Sequence, residues 1–326
     1  MDRRFYSRRS ICLGIGAGFA AAIRFPIAAQ AATESQAPVN YASLIGTTRY
    51  TKSRHKDTLL DIARNNKLGF VELMAANPGI DPWIPGEGTK ITLPTGHLLP
   101  AGPRKGVLLN LVDQRLYYFP ADGGPIQTYP IGTGQEAWDT PQGATKIVRK
   151  KRNPTWYVPE SIRKEDPELP AIVRPGPDNP LGRHALYLGW AAYLIHGTNN
   201  PWGVGRRVSH GCIRMYPEDI KNLFPQLPLG TPVTVVSQEM KTGWVGDQLM
   251  MEAHPNLEQN IEIEKGKLPT PAPIPEMVYR VVQAAGEKKH LIDWKIVKKI
   301  ARERSGLPVP VLKTTSNRNK ESASKS

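Results

Sequence analysis

The stretch from Tyr193 to Tyr216 holds residue types that can carry out nucleophilic catalysis. It contains two histidines, His196 and His210, and one cysteine, Cys212. Cysteine attacks as the thiolate, and a free thiol is mostly protonated at neutral pH, so a base or a positive charge must lie close to it. Both histidines are candidates for that base, and the residue pattern alone does not choose between them.

The neighbours of Cys212 fit this chemistry. Arg206, Arg207 and Arg214 supply positive potential, and Gly211 lets the backbone approach a substrate closely and offer N–H groups to a developing oxyanion. On a strand, His210 and Cys212 would share a face because they are two residues apart. His196 ends the preceding apolar strand and could reach the thiol from there.

The first 31 residues have the pattern of an export signal. An arginine-rich start precedes a short apolar run over residues 11–23 and an Ala29-Gln30-Ala31 cleavage site, and residues 7–13 resemble the twin-arginine motif. An ordinary secretory signal and a retained membrane anchor are the alternatives. The chain has two cysteines, Cys12 and Cys212, so cleavage would leave one thiol, unable to form an internal disulfide in an oxidising compartment.

Composition narrows the class of protein. The chain has 326 residues, of which 40% are hydrophobic, so it can bury a core, and 29 Gly with 31 Pro favour a loop-rich β fold over a helical bundle. After residue 31, no apolar run reaches the ~20 residues that span a bilayer, so no integral membrane segment is expected in the mature protein. The net charge is +14, and it falls to about +10 without residues 1–31. A charge of this size suits a polyanionic envelope surface or a nucleic acid, and export argues against nucleic acid as a partner.

The catalytic candidates lie within a region of β character, residues 104–237, where only 217–224 suggests a helix. Residues 48–95 predict a β-α-α-β unit whose first helix has Asp57 as N-cap. Residues 238–312 form an extension with a proline-rich linker (269–275) and one amphipathic helix near 291–301, followed by a disordered basic tail at 313–326. That helix is expected either to pack on the body of the protein or to bind an anionic surface.

Two segments resemble known families. The sequence DTLLDIARNN…LMAANPGIDPWIPGEGTKITLP resembles a LysM module, a small fold that binds N-acetylglucosamine-containing glycans. The segment with His196, then Ser209-His210-Gly211-Cys212 and Arg214, resembles the signature of the L,D-transpeptidase (YkuD) catalytic domain, as do TPQG at 140–143 and PGPDNPLG at 175–182. The resemblance implies a β-sandwich with a short helix, in the LysM-containing periplasmic group of Gram-negative bacteria.

The second resemblance implies roles for the site residues. Cys212 would be the nucleophile, His196 the general base and Ser209 a residue that orients the loop. Backbone N–H groups of His210, Gly211 and Cys212 would form the oxyanion hole. Arg214 would hold the site together or bind a substrate carboxylate, while Asn199 and Trp202 would line the cleft.

The implied reaction belongs to cell-wall biogenesis and cell shape. Cys212 would attack the diaminopimelate carbonyl of a peptidoglycan tetrapeptide stem, expel D-alanine and pass the acyl group to an amine on a second stem or on a lysine of an outer-membrane lipoprotein. Carbapenems would acylate the same cysteine. The resemblance implies a periplasmic enzyme without a metal or organic cofactor. It leaves open the acceptor, the role of the C-terminal extension and the oligomeric state.

Four other interpretations compete with transpeptidation. Cys212 could be an inert buried residue, or it could bind zinc with His196, His210 and a fourth ligand such as His184. The chain could be a non-catalytic peptidoglycan-binding wall protein. It could also be an L,D-carboxypeptidase that passes the acyl group to water and so trims the stems.

Overall fold

The computed structural model describes residues 43–313. The predicted export signal at 1–31 and the basic tail beyond Lys313 lie outside the described residues. None of the helices in residues 43–313 has both the length and the apolar character that crossing a bilayer requires.

The N-terminal module has the predicted β-α-α-β order, with one further short strand at each end. Its elements are β1 (Leu44–Ile45), β2 (Arg49–Lys52), α1 (Leu59–Asn65), α2 (Phe70–Ala75), β3 (Lys90–Leu93) and β4 (His97–Leu98). The apolar faces of the two helices and β3 form a small core that includes Leu59, Leu68, Leu73 and Ile91.

The predicted N-cap of α1 was wrong by one residue. Thr58 caps the helix: its hydroxyl accepts a hydrogen bond from the Asp61 N–H, and the Asp61 carboxylate accepts one from the Thr58 N–H. This reciprocal pair is a capping box. The Asp57 carboxylate instead accepts from the Arg54 N–H at 2.8 Å and closes the preceding turn.

The central region carries the catalytic candidates. Its strands are β5 (Gly106–Asn110), β6 (Arg115–Phe119), β7 (Gln127–Pro130), β8 (Thr133–Gly134), β9 (Gly143–Arg152), β10 (Trp156–Tyr157), β11 (Ile172–Val173), β12 (His184–Leu188), β13 (Leu194–His196), β14 (Arg207–Ser209), β15 (Ile213–Arg214) and β16 (Pro232–Val236). Its helices are α3 (Glu160–Glu165) and α4 (Pro217–Leu223), with short 3-10 turns at Pro201–Gly203 and Phe224–Gln226.

Eight of these strands form one mixed sheet in the order β15-β13-β12-β9-β16-β5-β6-β7. The mainly-β prediction is confirmed. Strand β9 joins two groups of strands in the large sheet, since residues 143–146 pair with β16 and residues 147–152 pair with β12. The two-stranded pairs β10-β11 and β14-β8 lie outside this sheet. Two neighbouring pairs, β16 with β5 and β13 with β15, are parallel. The inner face of the sheet packs on α4 through core residues that include Val107, Leu109, Ile195, Ile213 and Ile220.

The C-terminal region contains more structure than the sequence predicted. Its elements are β17 (Met240–Val245), β18 (Gln248–Ala253), α5 (Leu257–Glu264), α6 (Met277–Ala285), α7 (Trp294–Glu303) and β19 (Val309–Pro310), with a 3-10 segment at Gly286–Leu291. Helix α7 confirms the predicted amphipathic helix, and its apolar side packs in the core of this region through Val297 and Ile300. The β17–β18 hairpin was missed because its buried face includes the charged residues Lys241 and Glu252, which hide the alternation of apolar and polar residues.

The three regions pack as one unit across residues 43–313. Ile263 of α5 lies in an apolar cluster with Leu60, Phe70 and Val71 of the N-terminal module. The Gly69 and Gly205 backbones touch so closely that a Cβ on Gly205 would lie 2.2 Å from the Gly69 Cα. The catalytic candidates are therefore held by a framework to which all three regions contribute.

Candidate active site

Cys212 and His196 lie on neighbouring strands at one edge of the large sheet. Cys212 immediately precedes β15, and the parallel register of β13 with β15 pairs Ile195 with Ile213 and His196 with Arg214. Since side chains alternate along a strand, Cys212, Arg214 and His196 project from the same face. The thiol and the imidazole are thus on diagonal positions of adjacent strands.

The hydrogen bond of the buried His196 ring fixes how it can act. Its Nδ1 lies 2.5 Å from the Gly197 carbonyl oxygen, so Nδ1 carries the proton and donates it, and Nε2 keeps a free lone pair. Burial, and secondarily the charge of Arg214, lowers the pKa of His196 to about 4. The imidazole is therefore neutral at neutral pH and available as a base.

The Cys212 thiol is protonated in this setting. Burial raises its pKa, while a backbone hydrogen bond from Leu194 and the charge of Arg214 oppose that rise. The thiol donates to the Ala192 carbonyl oxygen, with a sulfur–oxygen distance of 3.4 Å. A neutral thiol beside a neutral imidazole needs proton transfer at the moment of attack.

The loop that carries Cys212 is held in one conformation. The Ser209 hydroxyl donates to the Cys212 carbonyl oxygen at 2.6 Å, and the Thr140 hydroxyl donates to the Gly211 carbonyl oxygen at 2.9 Å. Gly211 has φ +92°, and a Cβ there would lie 2.7 Å from Cε1 of Tyr193, so only glycine fits. Ser209 thus bonds within the loop in a way that suits its predicted orienting role, and Thr140 of the TPQG segment is a second anchor that the sequence did not indicate.

Three backbone N–H groups in this loop are available to a ligand. Among the hydrogen bonds of residues 43–313, none is donated by the N–H of His210, Gly211 or Cys212. Donors grouped next to a nucleophile can stabilise an oxyanion that forms during acyl transfer.

The ring of His210 is bound by a residue outside the catalytic loop. Its Nε2 lies 2.9 Å from Oε2 of Glu165 at the end of α3, and the ring makes an edge contact with Trp138 at 5.1 Å between centroids. The side chain therefore joins the catalytic loop to the 153–183 connection, which the sequence could not show because Glu165 carries no distinguishing signal. Within the described residues, the ligand atoms of His196, His210 and Cys212 do not converge, so the zinc interpretation gains no support there.

Arg214 is the positive charge that remains at the site. Arg206 and Arg207 form ion pairs with Glu264 and Asp139, at 3.4 and 2.7 Å. Arg214 is mostly buried, burial lowers its pKa, and its Nε has no hydrogen-bond partner among the described residues. It is placed to attract an anionic group next to the Cys212 thiol.

The two residues predicted to line the cleft make contacts of their own. The Asn199 side chain donates to the Asp178 carbonyl oxygen at 3.1 Å and lines a cavity that does not include Cys212. The exposed Trp202 ring lies 5.9 Å from the guanidinium carbon of Arg64 in the N-terminal module. The structure therefore brings four of the predicted site residues together with Cys212: His196, Ser209, Gly211 and Arg214. The side chains of the other three, His210, Asn199 and Trp202, contact residues outside this group.

Comparisons with known proteins agree with one another. Residues 104–235 match the family model described as the L,D-transpeptidase catalytic domain. The probable L,D-transpeptidase YcfS of Escherichia coli is 35% identical over 303 residues, covering 90% of this chain and 92% of that protein. The probable L,D-transpeptidase YbiS of E. coli is 37% identical over 76% of this chain and 81% of its own length. ErfK/SrfK of Salmonella typhimurium, also named a probable L,D-transpeptidase, is 36% identical over 74% of this chain and 79% of its own length.

Proposed function

The chain belongs to the L,D-transpeptidase family, and from this we propose that it cleaves and rejoins peptidoglycan stem peptides through a thioester on Cys212. The observation that carries the proposal is the placement of a protonated thiol and a neutral, oriented imidazole on one face of adjacent strands. The backbone N–H groups of residues 210–212 and the Arg214 guanidinium, which can stabilise negative charge on the substrate, lie beside them.

The first half-reaction forms the acyl-enzyme. His196 Nε2 takes the thiol proton as the Cys212 sulfur attacks the diaminopimelate carbonyl of a tetrapeptide stem. The oxyanion lies against the free N–H groups of residues 210–212. The intermediate collapses when the C–N bond breaks, and the His196 imidazolium returns the proton to the departing D-alanine amine.

The second half-reaction reverses these roles. An acceptor amine attacks the thioester while His196 accepts its proton, and the thiolate leaves and is reprotonated. A stem amine gives a crosslink, a lipoprotein lysine gives an anchored lipoprotein, and water gives the trimmed tripeptide of a carboxypeptidase. The acyl-enzyme is common to all three.

Purified protein and a disaccharide-tetrapeptide test this proposal. We expect stoichiometric D-alanine release with a crosslinked product, and no release by Cys212→Ser. Tripeptide as the sole product would reassign the protein as a carboxypeptidase. Absence of D-alanine release by the folded wild type would contradict the function.

We also propose that the N-terminal module binds glycan strands in the periplasm after export. Trp83 is 61% exposed, and its loop is fixed because the Asp81 carboxylate accepts hydrogen bonds from the Trp83 and Ile84 N–H groups. An exposed indole on a fixed loop is a suitable surface for stacking a sugar. Trp83→Ala should weaken sedimentation with insoluble peptidoglycan and leave turnover of a soluble muropeptide unchanged; unchanged sedimentation would remove this role.

A further inference from the structure

The strand register places Arg149 of β9 on the same face of the large sheet as Cys212. Arg149 lies opposite Tyr187 of β12, and Tyr187 lies opposite Leu194 of β13. The parallel register of β13 with β15, extended by one position, places Leu194 opposite Cys212. Side chains opposite each other on neighbouring strands lie on one face of a sheet. These four residues therefore form one row across four adjacent strands, which we call the open row.

The open row is the accessible part of this face. Arg149 is exposed, and the other three members of the row are each partly exposed. In the next row along the same strands, His196 lies opposite Ala185, and these two residues are 3% and 0% exposed. The surface that leads from the thiol toward β9 is therefore the open row and not the row beside it.

The Arg149 side chain leans toward the thiol and has its donors unused. Its guanidinium carbon lies 3.6 Å from the centroid of the Tyr187 ring, so the side chain is directed from β9 over β12. Among residues 43–313, Arg149 forms no ion pair and donates no side-chain hydrogen bond. A guanidinium has five N–H donors, and stacking on a ring leaves its edge free to bind a carboxylate.

The distance between Arg149 and Cys212 suits a short peptide. Neighbouring strands lie about 4.8 Å apart, which puts the backbones of Tyr187 and Arg149 about 10 and 14 Å from that of Cys212. An extended peptide covers about 3.3–3.6 Å per residue. Three residues laid across the strands therefore reach from the thiol to the guanidinium over Tyr187, and the side chain of Leu194 lies beneath them.

We propose that Arg149 binds a carboxylate of the donor stem peptide while the reacting carbonyl of the same peptide is at Cys212. This rests on the proposed function. A stem tetrapeptide is short and has several carboxylates, so one of them lies within three residues of the reacting carbonyl. Tyr187 positions the guanidinium, whose planar fork matches a carboxylate through two hydrogen bonds. Arg214 lies beside the thiol itself, so Arg149 adds a second and more distant point of recognition.

Kinetics of Arg149→Gln tests the proposal. We expect KM for a tetrapeptide donor to rise by about tenfold, with kcat within about twofold, because the lost contact binds substrate and transition state alike. The matched control is Arg302→Gln, which removes an exposed arginine from α7 in the C-terminal region. Equal KM increases in the two variants would show a general charge effect, and an increase confined to the acceptor amine would place the contact on the other substrate. Either result would overturn the proposal.

A change in the substrate identifies the group that Arg149 contacts. Tetrapeptides with one carboxylate amidated at a time are compared with the parent peptide. For one of these amides the wild type should show a KM about tenfold higher, and Arg149→Gln should treat that amide and the parent alike. Discrimination that persists in Arg149→Gln, or a wild type that accepts every amide equally, would overturn the proposal.

Binding without turnover separates this contact from the proposed function. In a Cys212→Ser background, NMR titration measures the affinity for the tetrapeptide with and without Arg149→Gln. An affinity about tenfold weaker without the arginine supports the contact even if the wild type releases no D-alanine. Unchanged affinity would overturn it. If Arg149→Gln does not fold, Arg149→Met is measured in the same way.

Discussion

His196 and His210 show how much a single hydrogen bond decides at the residue scale. The sequence predicted Cys212 and two possible bases, but the residue pattern could not choose between them. The choice depends on ring orientation: His196 is bound to its neighbour's carbonyl, whereas His210 is bound to Glu165, far away in the sequence. Long-range contacts of this kind leave no local pattern to detect.

Substitution of each histidine tests this difference. His196→Ala should lower the rate of Cys212 acylation by about 10²–10⁴-fold, because it removes the proposed base. His210→Ala should have a smaller effect, because its side chain holds the 153–183 connection. Stopped-flow fluorescence measures the rate of Cys212 acylation in both variants. Similar mild losses in the two variants would mean that the base is assigned wrongly.

The low pKa of His196 predicts an unusual pH profile. With a pKa of about 4, the imidazole stays neutral well below pH 6.5. The second-order acylation rate constant should therefore stay within about twofold between pH 5.5 and 7.5, and fall only nearer pH 4. A tenfold loss by pH 5.5 would show an ordinary histidine pKa, and a tenfold rise per pH unit would show reaction of a free thiolate.

At the scale of elements, α4 contains a buried acid at the contact with the N-terminal module. Asp219 is 1% exposed, and neither carboxylate oxygen has a hydrogen-bond partner among the described residues. Burial raises its pKa from 3.8 to about 6. The folded state therefore binds this proton more tightly than the unfolded state, and the free energy of unfolding falls as pH rises through this interval.

Asp219→Asn should stabilise the protein at neutral pH. It removes a charge that is costly to bury, so the free energy of unfolding at pH 7.5 should rise by up to about 3 kcal/mol. At pH 4 the gain should nearly vanish, because the native carboxyl is already protonated there. Urea unfolding at the two pH values measures this. Destabilisation at pH 7.5 would mean that the carboxylate has a favourable partner.

The other elements show where sequence patterns succeed. Apolar periodicity predicted the two N-terminal helices and α7, because each buries one face. The β17–β18 hairpin was not predicted, because Lys241 is fully buried between Asp113 and Glu252 at 2.7 and 2.6 Å. A buried lysine looks like a surface residue until its partners from other regions are known.

At the scale of the whole molecule, buried ion pairs connect regions that the sequence predicted as separate. Arg115 of β6 donates to Glu72 of α2 at 2.7 Å, and both side chains are buried. Lys241 connects the C-terminal hairpin to Asp113 in the central region. These contacts make the glycan-binding candidate and the catalytic region parts of one framework.

Breaking the buried Arg115–Glu72 ion pair should lower the free energy of unfolding far more than breaking the partly exposed Arg64–Glu218 pair. Arg115→Met leaves the Glu72 carboxylate buried without its cation and should lower the free energy of unfolding by about 3–5 kcal/mol. The control, Arg64→Met, breaks the partly exposed pair with Glu218 and should cost about 1 kcal/mol or less. Chemical denaturation measures both; equal losses would mean that the buried pair does not couple the regions.

The central claim, a thiol that forms an acyl-enzyme, has a direct measurement. Intact-protein mass spectrometry after incubation with a carbapenem should show one covalent adduct on the wild type, located on the peptide that contains Cys212, and none on Cys212→Ser. An adduct that persists on the serine variant, or a folded wild type that stays unmodified, would contradict the account.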